Sequence, residues 1–321
     1  MIASLPQTLA GAIDAELAPH AAKDLRIAAQ ALSEAYRNKS GIPRTLSPIE
    51  RAAYLAVRFP STFAVAAAVW REFSRSVPNR EITSVLDIGA GPGTASLASQ
   101  DQFPAGTRYT LIERDTGWRK TAERLARASK IDVQFQPGAF GANTATHDVV
   151  VACYALGELP ASERPAAIDV LWQAAASALI VIEPGTPKGF ELVRGVREHT
   201  LARGAHAAAP CTHNLICPMS TGDWCHQPVR LARAAAHRAA KDAPLAYEDE
   251  KFSFVILTRK PPLRAASARI VRKPMRKPGH VHLDLCENGA LHRTSIGKSA
   301  GPAYKAARDA DWGQTWPPAE D

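Results

Sequence analysis

A short apolar run that ends in an aspartate and then breaks into three alternating glycines, Val85-Leu-Asp-Ile-Gly-Ala-Gly-Pro-Gly-Thr94, leaves few folds open to this chain. Gly89, Gly91 and Gly93 free the backbone for turns and for close approach to a ligand, and Asp87 ends the strand beside them. The residues from Thr94 to Gln100 read as a helix, whose N-terminus then faces whatever the loop holds. Glu113 closes a second strand about twenty residues past the last glycine, where a carboxylate takes both hydroxyls of a ribose. A tight turn with incidental glycines is the plain alternative. The order strand, loop, helix, acid favours a nucleotide-like cofactor. No Gly-Lys-Ser/Thr follows, which sets aside a P-loop, and the glycines do not run Gly-x-Gly-x-x-Gly as in dinucleotide folds.

Alternation continues downstream. Strands are predicted at 84–88, 108–113, 132–136, 147–153 and 179–183, with helices at 94–100, 116–129 and 160–176 between them. Such alternation argues for a parallel, doubly wound α/β sheet. Residues 251–260 read as a late strand of the same sheet, so a cysteine-rich stretch at 185–226 interrupts it. The first 80 residues read as helical, and Ser47-Pro-Ile-Glu50 has the form of a capping box. The expected organisation is an N-terminal helical region (1–80), a cofactor-type domain (81–260) with the insertion 185–226, and a basic linker with a small C-terminal β appendage (261–321).

With 46% hydrophobic and 22% charged residues the composition is that of a folded globular protein. No apolar run reaches transmembrane length, and the N-terminus carries Asp14 and Glu16 ahead of its first arginine, Arg26. This predicts a cytoplasmic, monomeric protein without membrane contact, in a compartment where clustered cysteines bind metal more often than they form disulfides. The net charge of +8 is uneven: residues 259–277 carry eight Lys/Arg and no acid. Such a stretch suits phosphates; the alternative is a solvated, proline-punctuated linker. Arg230, Arg233, His237 and Lys241 recur at three- and four-residue spacing, which predicts one basic stripe on a helix.

Four of the five cysteines, Cys211, Cys217, Cys225 and Cys286, lie downstream of the glycine loop, with five, seven and sixty residues between them. No Cys-x₂₋₄-Cys pair is present, as a zinc ribbon would need. Thiols at wide, irregular spacing fit an iron–sulfur cluster, while His213 and His226 beside them keep a zinc site open. Trp224 reads as a shield for such a site. The fifth, Cys153, reads as a buried structural thiol.

The order Asp-x-Gly-x-Gly-x-Gly then Glu resembles class I S-adenosylmethionine-dependent methyltransferases, and implies S-adenosylmethionine on Asp87, Gly89, Gly91, Gly93 and Glu113. The catalytic Asn/Asp-Pro-Pro-Tyr of amino-methylating members is replaced by Cys153-Tyr-Ala-Leu-Gly-Glu158, and the loop 136–140 lacks the acid that often contacts adenine. No general base stands out; Glu158 is best placed. Glu183-Pro-Gly-Thr-Pro-Lys-Gly-Phe190, Ala209-Pro-Cys-Thr-His213, Cys217-Pro218, Trp224-Cys-His226 and Tyr247-Glu-Asp-Glu-Lys-Phe-Ser-Phe254 further resemble the methyltransferase-like assembly factors of the mitochondrial small ribosomal subunit and their bacterial homologues. That resemblance implies a class I S-adenosylmethionine-methyltransferase (Rossmann-like) fold and a [4Fe–4S] cluster on Cys211, Cys217, Cys225 and Cys286. It also implies binding to small-subunit ribosomal RNA, through Arg230, Arg233, Arg269, Arg272, Lys273, Arg276 and Lys277, in subunit biogenesis. An active ribosomal-RNA methyltransferase and an iron- or redox-sensing RNA-binding protein are the rival expectations.

Overall fold

The computed structural model describes residues 2–37, 45–77, 81–136, 138, 145–241, 245–262 and 267–318. Arg264 and most of the loop 137–140 lie outside them. The chain opens with α1 (Gln7–Leu17), α2 (Ala22–Arg37), α3 (Pro48–Val57) and α4 (Phe59–Ser76). The capping box forms as the sequence predicts. Ser47 Oγ accepts from Glu50 N–H, and Glu50 Oε2 accepts from Ser47 N–H at 2.9 Å, with Pro48 at the first helical position. α4 is buried almost all round, through Phe59, Phe63, Val65, Val69, Trp70 and Phe73, because it lies between the other helices and the sheet. Among the described residues no single helix is long and apolar enough to cross a membrane.

The sheet begins with β1 (Ser84–Ile88), followed by α5 (Thr94–Leu97), β2 (Arg108–Ile112), α6 (Thr116–Ser129), β3 (Val133–Gln136) and β4 (His147–Cys153). It continues through α7 (Arg164–Ala174), β5 (Ala175–Pro184), α8 (Pro187–Leu201), β6 (His206–Ala209), β7 (Gln227–Ala232), α9 (Ala235–Lys241) and β8 (Tyr247–Thr258). Its order is β3-β2-β1-β4-β5-β8-β6, with β7 also on β8. The first five strands are parallel, and β8 runs antiparallel to β5, β6 and β7. Central strands are covered on both faces, hence unbroken apolar runs such as Val149–Ala152 and Leu179–Ile182. This mixed sheet, reversed at its late strands, is the class I methyltransferase architecture.

Of the stretch 185–226, α8 and β6 belong to the sheet layers, α8 packing on β5 and β8. The irregular part is 210–226. Its seat follows from register: one edge of β8 pairs with β7 at 247–252 and with β6 from Ile256, leaving Ser253–Val255 unpaired on that edge. The cysteine loop fills this notch, with Ser253 Oγ donating to Cys225 O at 2.8 Å.

A second sheet follows, formed by β9 (Ala268–Ile270), β10 (Met275–Lys277), β11 (His280–Glu287), β12 (Ala290–Gly297) and β13 (Thr315–Trp316), with α10 (Pro302–Asp309) packed on it. β11 and β12 join through Asn288-Gly289, both at positive φ (+48° and +77°), as a two-residue hairpin requires. A small core around Ile270, Val281, Leu283 and Leu285 holds this sheet together. What fastens it to the rest is Arg269. Its guanidinium is buried and donates to Glu72 Oε1 of α4 at 2.6 Å, to Pro210 O at 2.8 Å and to Gly313 O at 2.8 Å.

Removing one member of a buried ion pair leaves the other charge uncompensated. Arg269→Ala should therefore cost about 3–5 kcal/mol in urea unfolding. Glu72→Gln, which keeps an acceptor, should cost less; equal small losses would show that the pair is not what fastens the sheet.

Candidate functional site

The glycine loop adopts the conformation its composition allows. Gly89, Gly91 and Gly93 have φ of +68°, +54° and +76°, a region that strains any side chain. A Cβ on Gly91 would meet open space, whereas one on Gly93 would come within 3.1 Å of Leu111. Gly91 thus faces open space, and Gly93 lets α5 close onto β2. Glu113 reaches back to this loop: Gly91 N–H donates to its Oε2 and Asp115 N–H to its Oε1, both at 2.8 Å. Each oxygen keeps a further lone pair for a hydroxyl.

Asp87 lies behind the loop rather than in it. Its buried carboxylate accepts from Ser96 Oγ at 2.8 Å and Ser96 N–H at 3.2 Å, bracing α5. Burial pushes its pKa up to about 6, against the opposing Ser96 bonds. Glu183, ending β5, is buried in the same way, and burial lifts it to about 7 although Gly157 N–H donates to it at 3.0 Å.

At the end of β4, burial holds the Cys153 thiol well above its ordinary pKa, consistent with a structural residue rather than a nucleophile. Tyr154, which the sequence did not single out, sits at φ +56° with its hydroxyl buried and without a hydrogen-bond partner. Glu158 stands exposed on a 3₁₀ turn, Leu156–Glu158.

The four downstream cysteines, far apart in sequence, line one cavity. Cys211 follows β6, Cys217 lies mid-loop, Cys225 precedes β7, and Cys286 comes from β11, opposite Arg269 in register. Phe190, Met219 and Val271 pack with Cys286, and Trp224 closes one side, its indole N–H donating to Gly185 O at 3.0 Å. Trp312, unassigned from sequence, packs edge-on against His226, which stacks on Trp224.

Burial, followed by repulsion from Cys211 and Cys217, pushes Cys286 up to about 12; the same two causes raise Cys225, and burial raises Cys217. Left to themselves these three are neutral thiols at physiological pH. His213 Nε2 lies 3.5 Å from Cys286 Sγ. Among the described residues no three His, Cys, Asp or Glu side chains are gathered closely enough to hold one metal ion. By that measure neither the iron–sulfur nor the zinc expectation for the 185–226 insertion meets a ready-made set of ligands among the described residues.

Sequence reading missed Arg197 of α8. It is buried, lines the cavity, and its Nη2 donates to both His213 O and Leu215 O at 2.8 Å. An arginine on an ordinary amphipathic helix carries no local signal of such a role.

The basic residues divide by what they touch. The single helical stripe does not form: Arg230 lies on β7, Arg233 follows it, and only His237 and Lys241 are on α9. Arg230 pairs with Asp249 at 2.6 Å and stacks on Tyr247; Arg233 and Lys241 pair with Glu248 at 2.7 and 2.8 Å. The acidic Tyr247–Glu250 segment thus pairs with nearby arginines. Arg269 is also corrected: inside the ion pair with Glu72 it is 4% exposed and has no access to a ligand surface. Arg272 pairs with Asp223, and the exposed Arg276 donates to Arg308 O and Ala310 O. Lys273 and Lys277 are exposed beside it.

Residues 48–317 match the family described as Mitochondrial small ribosomal subunit Rsm22. The human "Ribosome assembly protein METTL17, mitochondrial" is 27% identical over 82% of this chain and 62% of its own length. The "Rsm22-cox11 tandem protein 2, mitochondrial" of Schizosaccharomyces pombe is 24% identical over 92% of this chain and 46% of its own length. The chain thus spans less than two thirds of either relative. The family and both relatives are mitochondrial by description, which overturns the expected cytoplasmic location.

Among solved structures, magnesium protoporphyrin IX methyltransferase from Synechocystis with bound SAH has a TM-score of 0.43 at 13% identity, covering 74% of this chain and 100% of that one. A putative RNA methyltransferase from Pyrococcus horikoshii has a TM-score of 0.41 at 13% identity, covering 60% of this chain and 84% of that one. Likeness at this level carries no argument, and the fold assignment rests on strand order and the glycine loop. The match across residues 48–317 decides the identity: the chain belongs to the Rsm22 family of the mitochondrial small ribosomal subunit.

Proposed function

We propose that this chain is an RNA-binding assembly factor of the small ribosomal subunit, with a [4Fe–4S] cluster on its four downstream cysteines and an S-adenosylmethionine pocket on its glycine loop. The observation that carries this reading is the convergence of Cys211, Cys217, Cys225 and Cys286, from two separate sheets, on one cavity in a member of this family. Three of the four cysteines are half-buried and the fourth is buried, and cysteine thiolates are the usual ligands of iron–sulfur clusters. When bound, such a cluster cross-links the notch loop to β11 and so fixes the C-terminal sheet. The left-handed glycines, the open space over Gly91 and the lone pairs left on Glu113 support the cofactor pocket. We read the pocket as a cofactor-binding site, with Glu158 on the turn after β4 as the best-placed candidate base.

RNA contact falls to the cations left exposed after internal pairing, Lys273 and Lys277 with Arg276 beside them. Arg230 and Arg272 contribute less, because carboxylates already face them.

Anaerobic purification should yield iron and acid-labile sulfide with a broad visible absorption. Cys286→Ser should lose most of the iron and make residues 261–321 sensitive to protease. Full iron with unchanged protease resistance would sink the cluster reading.

Gly91→Ala forces a side chain at positive φ into the ligand space. It should weaken S-adenosylmethionine binding roughly tenfold or more in calorimetric titration. A wild-type chain that releases no heat with the cofactor would refute the pocket.

Lys273→Ala with Lys277→Ala should weaken binding to a small-subunit RNA fragment. It should also lower the slope of log affinity against log salt by about one per residue. An unaltered slope would move the RNA surface elsewhere.

A further inference from the structure

The charges around the cysteine cavity do not balance. Arg269 is matched by Glu72 and Arg272 by Asp223. Arg197 lines the same cavity at 3% exposure, and among the described residues no carboxylate pairs with it. Its Nη2 is spent on the carbonyls of His213 and Leu215, while its Nε–H is buried with no hydrogen-bond partner. Arg194, three residues earlier on the same face of α8, also lines the cavity without a carboxylate.

Taking a guanidinium without a counter-charge out of water is costly, and an orphaned buried N–H adds to that cost. A fold keeps such a group where an anion arrives to meet it. Neutral thiols do not supply that charge; thiolates bound to a metal–sulfur core do. Arg197 and Arg194 line the same cavity as the four cysteines.

We propose that Arg197 is the counter-charge and sulfur-facing hydrogen-bond donor of the cluster held in this cavity, with Arg194 adding a second positive charge. This rests on the cluster reading above. A four-iron core with four thiolates is anionic overall and gains one more negative charge on reduction. Cations at its edge therefore favour the reduced form and raise its potential. The same side chain draws the loop carbonyls at 213 and 215 inward, so the ligand loop and its counter-charge are set by one residue.

The test uses the full chain purified anaerobically, with Arg197→Gln, Arg197→Lys and Arg194→Gln alongside wild type. Three readouts are needed: reduction potential by dye-coupled titration, rate of iron loss to a chelator, and Tm in loaded and metal-free forms. Arg197→Gln should shift the potential to more negative values and speed iron loss roughly 10- to 100-fold. It should also shrink the gain in Tm that cluster loading gives. Arg197→Lys should restore much of the potential but not the loop bonds. Arg194→Gln should shift the potential in the same direction with a smaller change in iron loss, and it carries the test if Arg197→Gln does not fold.

A wild-type potential and rate of iron loss in both glutamine variants overturn the proposal. So does an equal fall of Tm in the loaded and metal-free forms of Arg197→Gln, which marks a merely structural arginine. A wild-type chain without iron or sulfide strikes at the cluster reading itself and takes this inference with it.

Discussion

The guanidinium of Arg269 is the point at which the separate parts of this molecule are fastened together. One buried side chain meets Glu72 of α4, the carbonyl of Pro210 at the mouth of the cysteine loop, and the carbonyl of Gly313 near the C-terminus. Desolvating both charges costs several kcal/mol each, and it is tolerated because three donors find well-aligned acceptors. The second sheet has only a small core of its own, and β9, which carries Arg269, is three residues long. So slight an element does not choose its place by hydrophobic area alone. A buried charge that is satisfied in one arrangement penalises every other. Because Cys286 sits opposite Arg269 in the β9–β11 register, fixing Arg269 also fixes the fourth thiol over the other three.

The cysteine site is thus a product of tertiary structure. Three thiols come from a loop seated where β8 changes partner from β7 to β6, and the fourth comes from a strand in another sheet. Neither source builds the cavity alone. An anionic group bound there would be shared between two units and would stabilise their docking by mass action. Its loss would leave neutral thiols and an Arg197 without a counter-charge in the same space.

What the sequence disclosed and what it hid follow from the range of the interactions involved. The glycine loop, the capping box at Ser47 and the βα alternation are local, each set by residues within a few positions of one another, and each forms as predicted. The cysteine quartet was legible as chemistry but not as geometry, because β11 lies sixty residues beyond the loop. The spacing of Arg230, Arg233, His237 and Lys241 suggested a helix. Cross-strand pairing decided otherwise: Arg230 stands opposite Asp249 and Leu231 opposite Glu248, so complementary charges on β8 outweigh a modest helical period. Arg269 was lost among seven basic neighbours for a similar reason. On a strand, alternate residues face inward, and nothing in the local charge pattern marks which cation will find a buried carboxylate 197 residues away. Arg197 had no local signal, since its significance lies in a partner it lacks.

Helix α4 gives these observations a common frame. Trp70 donates its indole N–H to Ala95 O, on the helix that follows the glycine loop, at 2.9 Å, and Glu72 two residues later takes Arg269. Residues two apart on an α-helix point about 200° apart around its axis. The same turn of α4 therefore grips α5 on one side and the C-terminal sheet on the other. Because the helix is buried nearly all round, it cannot roll to satisfy one contact without disturbing the second.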